Sequence, residues 1–316
     1  MESSFHVPVM LDEVVQALVI RPGGLFVDAT LGGGGHAFGL LSACGEEGRL
    51  VGIDRDPEAL EASRSELAVF GSRTLLFCDV FWNLVPILKS AGVTQIDGCI
   101  YDLGVSAHQI DVPERGFSYR QDGPLDMRMD PSIPKTARTV VNEYSQAALV
   151  RVLRQYGEER RAASIARAIC TARLRTPIER TLQLRQIVTS AASPKHLEKT
   201  MARVFQAVRI EVNDELRYVQ QSVTDAIGAL RLGGRIAAIS YHSLEDRIVK
   251  QTFAAYAHRC ICPPDLPVCA CGRRPVLKVF KDKTPTLTEI QRNPRARSAR
   301  LRIAEKVGEM HDQTEQ

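Results

Sequence analysis

Apolar and polar positions fall into two rhythms along this chain. Over the first hundred residues, short apolar runs alternate with stretches of helical spacing. The runs are LFVDAT (25–30), RLVGID (49–54), RTLLFCD (73–79) and DGCIYDLG (97–104). Between them, HAFGLLSAC (36–44) and PEALEASRSELAVF (57–70) carry apolar residues three and four apart, the second opening on a proline suited to a first helical turn. Strand, helix and strand at this spacing predict a parallel sheet covered by helices.

The rhythm then changes. Residues 111–140 are rich in Pro, Gly, Asp and Arg and read as a long ordered loop. From 142 to 230 only helical periodicity remains, ending in one long run, ARVFQAVRIEVNDELRYVQQSVTDAIGAL, with Pro177 and Pro194 as earlier punctuation. A strand pattern returns at GGRIAAISYH (233–242). A sheet that pauses after its fourth strand and then resumes implies an inserted helical domain. The expected organisation is an α/β core over 1–112, an all-helical insertion over 113–212, and a second core segment over 213–316 that ends in a basic tail.

Composition narrows the class. The 316 residues are 44% hydrophobic and 25% charged, which excludes collagen, low-complexity and disulfide-stapled chains. No apolar run approaches the roughly 18 residues of a membrane span. Acids stand near the N-terminus where a secretory signal needs basic residues, so a cytoplasmic protein with no membrane partner is expected. The net charge of +4 conceals a strong asymmetry. Residues 1–100 hold 6 Lys/Arg against 13 Asp/Glu, whereas 151–210 hold 13 against 4 and 251–316 hold 12 against 7. Two basic segments point to a polyanion such as nucleic acid. A solvated helix face is the competing reading.

The chemistry concentrates at the first strand-to-helix turn. In Asp28-Ala-Thr-Leu-Gly32-Gly33-Gly34-Gly35-His36-Ala37, the pattern Gly32-x-Gly34-x-x-Ala37 satisfies a nucleotide-binding fingerprint. Asp54 closes the next strand, 19 residues past Gly35, where an acid hydrogen-bonds ribose hydroxyls. A glycine-rich packing turn is the plainer alternative. Asp28, four residues before the first glycine, would repel a pyrophosphate but suits the amino group of S-adenosylmethionine, which favours that ligand over a dinucleotide. His36, in the first helical turn, faces such a site. Phe81 past the third strand, Asp102 ending the fourth and Gln109 in the following loop complete a pocket at the carboxyl ends of the strands.

These motifs resemble one family. HVPVMLDEV (6–14), DATLGGGGHA (28–37), GIDRDPEAL (52–60), YDLGVSAHQID (101–111) and ERGFSYRQDGPLDMRMD (114–130) are similar to the RsmH (MraW) small-subunit ribosomal RNA cytosine-N4 methyltransferases. So are YGEERRAASIARAI (156–169), FQAVRIEVNDEL (205–216), SYHSLEDRIVK (240–250) and NPRARSARLRIAE (293–305). The resemblance implies a class I S-adenosylmethionine-dependent methyltransferase, with a Rossmann-like sheet and an inserted all-helical substrate-recognition domain. It implies cofactor contacts at Gly34, Gly35, His36, Asp54, Phe81, Asp102 and Gln109, no catalytic metal, and a cytidine of the decoding region as target. The RNA would be met within the 30S subunit or a late assembly intermediate, and a homodimer is left open.

For the chemistry, Asp102 is expected to accept a proton or hydrogen bond from the cytosine amine, although its surroundings (Asp102-Leu103-Gly104-Val105-Ser106) lack the Pro-Pro-aromatic platform of many amino methyltransferases. That lack speaks against a DNA amino methyltransferase, and Asp28 against a nicotinamide-dependent oxidoreductase. Tyr241 and His242 are candidates to stack on a flipped base, or else form a strand-end turn capping Leu244-Glu245-Asp246. Arg154, Arg160, Arg161, Arg167, Arg203 and Arg209 are candidate phosphate contacts, with Glu158 and Glu159 as competing partners. Cys260, Cys262, Cys269 and Cys271, with His258 nearby, suggest a structural zinc, although C-x-C spacing is unusual for one.

Overall fold

A computed structural model of the chain describes residues 8–19, 21–257 and 274–310. In chain order the first elements are α1 (Leu11–Leu18), β1 (Leu25–Asp28), α2 (Gly35–Ala43), β2 (Arg49–Asp54), α3 (Pro57–Leu67), β3 (Thr74–Cys78), α4 (Leu84–Ser90) and β4 (Ile96–Asp102). A run of helices follows: α5 (Ala107–Asp111), α6 (Ala137–Glu143), α7 (Gln146–Gln155), α8 (Ala162–Arg173), α9 (Thr181–Ala191), α10 (Leu197–Asn213) and α11 (Val219–Ala229). The chain closes with β5 (Leu230–Ser240), α12 (Ser243–Ala257), β6 (Leu277–Val279), α13 (Leu287–Arg292) and β7 (Arg300–Lys306).

The chain divides into two compact units. One runs to Gly104 and resumes at Tyr218; the other is Val105–Arg217. The helical unit thus begins and ends slightly outside the 113–212 read from the sequence.

In the first unit the strands form one sheet in the order β3-β2-β1-β4-β5-β7-β6. The first five are mutually parallel, as the alternation predicts. Alternate side chains enter opposite faces. Val27, Cys99 and Tyr101 pack with α4, α11 and α12 on one face, while Phe26 and Ile100 pack with α1, α2 and α3 on the other. Strand order reverses between β1 and β4, the place where open α/β sheets bind ligands.

Two strands were not anticipated. The basic C-terminal segment, expected as a tail, supplies β7, which runs antiparallel between β5 and β6. Its charges have partners inside the unit. Arg302 holds Asp246 with two bonds of 2.6 and 2.9 Å, Glu305 accepts from Arg235 across the strands at 2.9 Å, and buried Lys306 donates to the Leu230 carbonyl at 2.7 Å. Charge masked the strand period, because Arg302 and Glu305 are neutralised by partners far away in the chain.

In the helical unit the loop before α6 is built into the core. Phe117, Leu125, Met127 and Met129 are buried with the faces of α6, α7, α8 and α10. Arg115 clasps the Arg128 and Met129 carbonyls, both at 3.1 Å, and Asn213 joins the Met127 carbonyl to the Met129 N–H. The long helical run expected over 202–230 is two helices. Asp214 takes a left-handed conformation (φ 54°), ending α10, and α11 belongs to the sheet unit. Periodicity could not reveal that break, because apolar spacing continues across it.

Candidate active site

The glycine turn joins β1 to α2. Gly34 caps α2 at φ 86°, a left-handed conformation costly for any residue with a Cβ. A Cβ there would also stand 3.3 Å from Ser63 on α3. The turn therefore brings backbone close to its neighbours and leaves the first N–H groups of α2 outside the helical ladder.

Asp54 fastens this turn. One carboxylate oxygen accepts from the Gly32 N–H at 2.8 Å, and the other from the Asp56 N–H at 2.9 Å. Burial pushes its pKa up, against the lowering effect of those two donors. The residue expected to bind ribose is thus also what fixes the loop.

Asp28 is 1% exposed at the end of β1. One oxygen accepts from the Thr30 N–H at 3.2 Å; the other is buried without a hydrogen-bond partner among the described residues. Burial, first of all, raises its pKa to about 7. His36 and the Thr30 N–H act in the opposite sense, while the carboxylates of Asp102 and Asp54 push it further up. Three carboxylates from β1, β2 and β4 therefore sense one another at the carboxyl end of the sheet.

Asp102 ends β4 with its side chain 26% exposed. The Tyr241 hydroxyl donates to its Oδ1 at 2.8 Å, and His36 Nδ1 lies 3.7 Å from its Oδ2. His36 Nε2 lies 2.9 Å from the Val9 carbonyl, which can only accept, so that nitrogen carries a proton. Nδ1 is therefore the ring nitrogen that faces Asp102.

Thr30 is a contributor the sequence reading passed over. Its hydroxyl accepts from the Asp102 N–H at 2.6 Å and so locks the end of β1 to the end of β4. The strand register creates this contact, and no local pattern announces it. Past β4, Gly104 sits at φ 107°, with the Tyr241 ring 3.4 Å from where a Cβ would be. A side chain there would be strained and would press on the group that holds Asp102.

Tyr241 and His242 form the strand-end turn. Buried Glu245 accepts from the Tyr241 N–H at 2.9 Å and lies 3.0 Å from His242 Nε2. Phe81 is half-buried in the 3-10 turn (Phe81–Asn83) that follows β3, edge-on to Tyr101 (6.1 Å between ring centres) and to Trp82 (5.1 Å). Its carbonyl accepts from Ser222. Trp82 in turn stacks on Tyr218 at 4.5 Å. Gln109 lies in the helical unit, buried, where it completes a capping box with Ser106 at the start of α5.

The candidate arginines separate sharply. Arg209 grips buried Glu215 with two bonds of 2.9 Å and is itself 14% exposed, which makes it a packing residue of the helical unit rather than a phosphate contact. Arg203 lies 3.7 Å from buried Glu159, and Arg161 donates to the Ala191 carbonyl at 3.1 Å. Arg154, Arg160 and Arg167 are exposed and make no ion pair among the described residues. Cys260, Cys262, Cys269, Cys271 and His258 lie outside the described residues. Among the described ones no cluster could hold a metal, and no helix is long and apolar enough to cross a membrane.

Comparison with known proteins follows the same lines. The sequence profile of the MraW methylase family matches residues 3–307. The ribosomal RNA small subunit methyltransferase H of Symbiobacterium thermophilum is 47% identical over 308 residues, 96% of each chain. That of Carboxydothermus hydrogenoformans is 47% identical over 306 residues, covering 96% of this chain and 98% of its own. The Geobacter sulfurreducens protein is 48% identical over 307 residues, covering 96% of this chain and 99% of its own.

Proposed function

The chain belongs to the MraW methylase family, and from that premise we propose that it methylates the exocyclic N4 amine of one cytidine in the decoding region of small-subunit ribosomal RNA. The methyl donor in this reading is S-adenosylmethionine, the fold is that of a class I methyltransferase, and the reaction runs in the cytoplasm. The RNA is taken within the 30S subunit or a late assembly intermediate, and the helical unit recognises it.

One observation carries the choice of cofactor. Asp28, Asp54 and Asp102 gather around a glycine turn, and a buried Asp28 oxygen has no hydrogen-bond partner among the described residues. A cationic, ribose-bearing ligand suits that set, whereas a pyrophosphate would be repelled. In this assignment Gly34, Gly35 and His36 line the cofactor's amino-acid portion, with Asp28 behind its ammonium group. Asp54 takes the ribose hydroxyls and Phe81 packs on adenine. The bound cofactor supplies an electrophilic methyl group.

The remaining difficulty lies with the nucleophile, whose nitrogen lone pair is delocalised into the cytosine ring. Asp102 accepts the amine N–H, which favours localisation of that lone pair and balances the positive charge that develops on nitrogen. The Tyr241 hydroxyl holds one oxygen of Asp102 and thereby orients the other. Because the partners are both bound, positioning contributes more than proton transfer.

The test is transfer of labelled methyl from S-adenosylmethionine to small subunits isolated from cells lacking this protein. Label in N4-methylcytidine of the RNA supports the reading; label in DNA, or none in the subunit, sinks it.

A further inference from the structure

The basic charge of the helical unit divides into two populations. Arg173 donates to the Val141 and Tyr144 carbonyls, Arg128 holds Asp126, Arg180 holds Asp122, and Arg209 holds Glu215. These guanidinium groups already have partners within the unit, although Arg180 makes its pair from an exposed position. Arg167 and Arg175 differ. Both are exposed, and neither makes an ion pair among the described residues.

Both also line one groove between α8 and α9, with a volume of about 450 Å³. Ser164, Arg167, Thr171 and Arg175 follow one another at intervals of three, four and four, so they form a single stripe along α8 and just past its end. Ser190 faces them from α9, and alanines and Ile187 make up the rest of the lining. No acidic residue lines it. At 1.5 Å per residue, the two arginines are about 12 Å apart along the helix, far enough to hold separate phosphates. The Ser164 and Ser190 hydroxyls now donate to carbonyls of their own helices, at 2.9 and 2.7 Å, and a hydroxyl re-aims by rotation about a single bond.

We propose that this groove is a track for the phosphate backbone of the RNA substrate, held by Arg167 and Arg175 with hydroxyl support from Ser164, Thr171 and Ser190. The proposal rests on the RNA-methylating reading above and says which part of the helical unit meets the RNA. Its recognition is of charge and spacing, since guanidinium and hydroxyl donors match phosphate oxygens. A groove of this kind fixes the register of the RNA while the strand-end site performs the chemistry.

The experiment measures binding of a decoding-region RNA fragment to the full chain at several salt concentrations. It compares the wild type, Arg167→Ala/Arg175→Ala, Arg167→Lys/Arg175→Lys and a surface control, Arg64→Ala in α3. The double alanine variant is expected to bind at least about tenfold more weakly near 100 mM salt. Its plot of log affinity against log salt should flatten by about 1.5, the counterions of roughly two phosphates. The lysine variant should keep most of that slope and the control should match the wild type. Cofactor affinity, read through the fluorescence of Trp82, the sole tryptophan, should be equal in all four, which also verifies folding. An unchanged salt slope in the double alanine variant overturns the proposal. So does a variant that binds naked RNA normally but loses methyl transfer on intact subunits, because the groove would then be gripping a ribosomal protein. If the wild type neither binds RNA nor methylates it, the RNA reading itself falls and takes the groove with it.

Discussion

The carboxylates at the strand ends and the arginines of the helical unit are both concentrations of charge, yet they operate under opposite conditions. Asp28 is 1% exposed, and burial above all, with smaller effects from neighbouring charges, raises its pKa to about 7. Arg154, Arg160, Arg167 and Arg175 stand in water, where salt screens each within about 8 Å. A buried carboxylate matters individually and responds to pH. An exposed arginine matters as one of several and responds to ionic strength. The helical unit contains both regimes, because Arg209 is enclosed with Glu215 while Arg167 is open.

The comparison can be broken from its strong end first. Asp102→Asn should retain the fold and lose at least about tenfold in methyl transfer at saturating cofactor, as expected when a positioned acceptor loses its charge and basicity. Wild-type turnover in a single-turnover assay would remove Asp102 from the mechanism. Arg209→Ala should cost about 3 kcal/mol in denaturant unfolding, since it strands Glu215 in a nearly buried position. The same substitution at exposed Arg154 should stay within about 0.5 kcal/mol. Equal losses at the two sites would erase the distinction between enclosed and open arginines.

Tyr241→Phe should reduce turnover by about three- to tenfold with little change in the KM for S-adenosylmethionine, because it frees Asp102 to rotate rather than removing it. A purely structural role would show instead as a lower melting temperature with normal turnover.

The mildest effect is on pH. The folded pKa of Asp28, about 7, lies above its ordinary 3.8. The stability this group contributes is therefore complete below 3.8 and is lost as pH rises through about 7. Ligand-free Asp28→Asn should gain melting temperature relative to the wild type at pH 8 but not at pH 4. Affinity for S-adenosylmethionine should rise across the same window in the wild type, as the ionised carboxylate meets a cation, and stay flat in the variant. An identical pH profile for the two proteins would separate Asp28 from the ammonium site.

Much of the architecture was legible because local periods and global contacts agree where the sheet is parallel and buried. Cys99 and Tyr101 repeat at a period of two along β4, and the glycines stand at the turn after β1. The antiparallel strand β7 was illegible, since RLRIAEK alternates charged with apolar residues in a segment whose arginines suggested solvent. The break at Asp214 was equally hidden, because it is a left-handed residue inside an otherwise helical pattern. At the site, Asp28, Asp54 and Asp102 could be picked out from strand ends, but Thr30 as the tie to β4 and Tyr241 as the partner of Asp102 could not.

What the sequence determined by itself was the order of elements, the glycine turn and the acids that close the strands, since each follows from neighbours a few residues away. The tertiary structure alone decided which of those charges are enclosed and which are open. The same arginine is a core clamp at 209 and an open cation at 167, because burial and a carboxylate partner are properties of the folded surroundings. Desolvation, the largest cause of the raised pKa of Asp28, exists only once distant strands have come together.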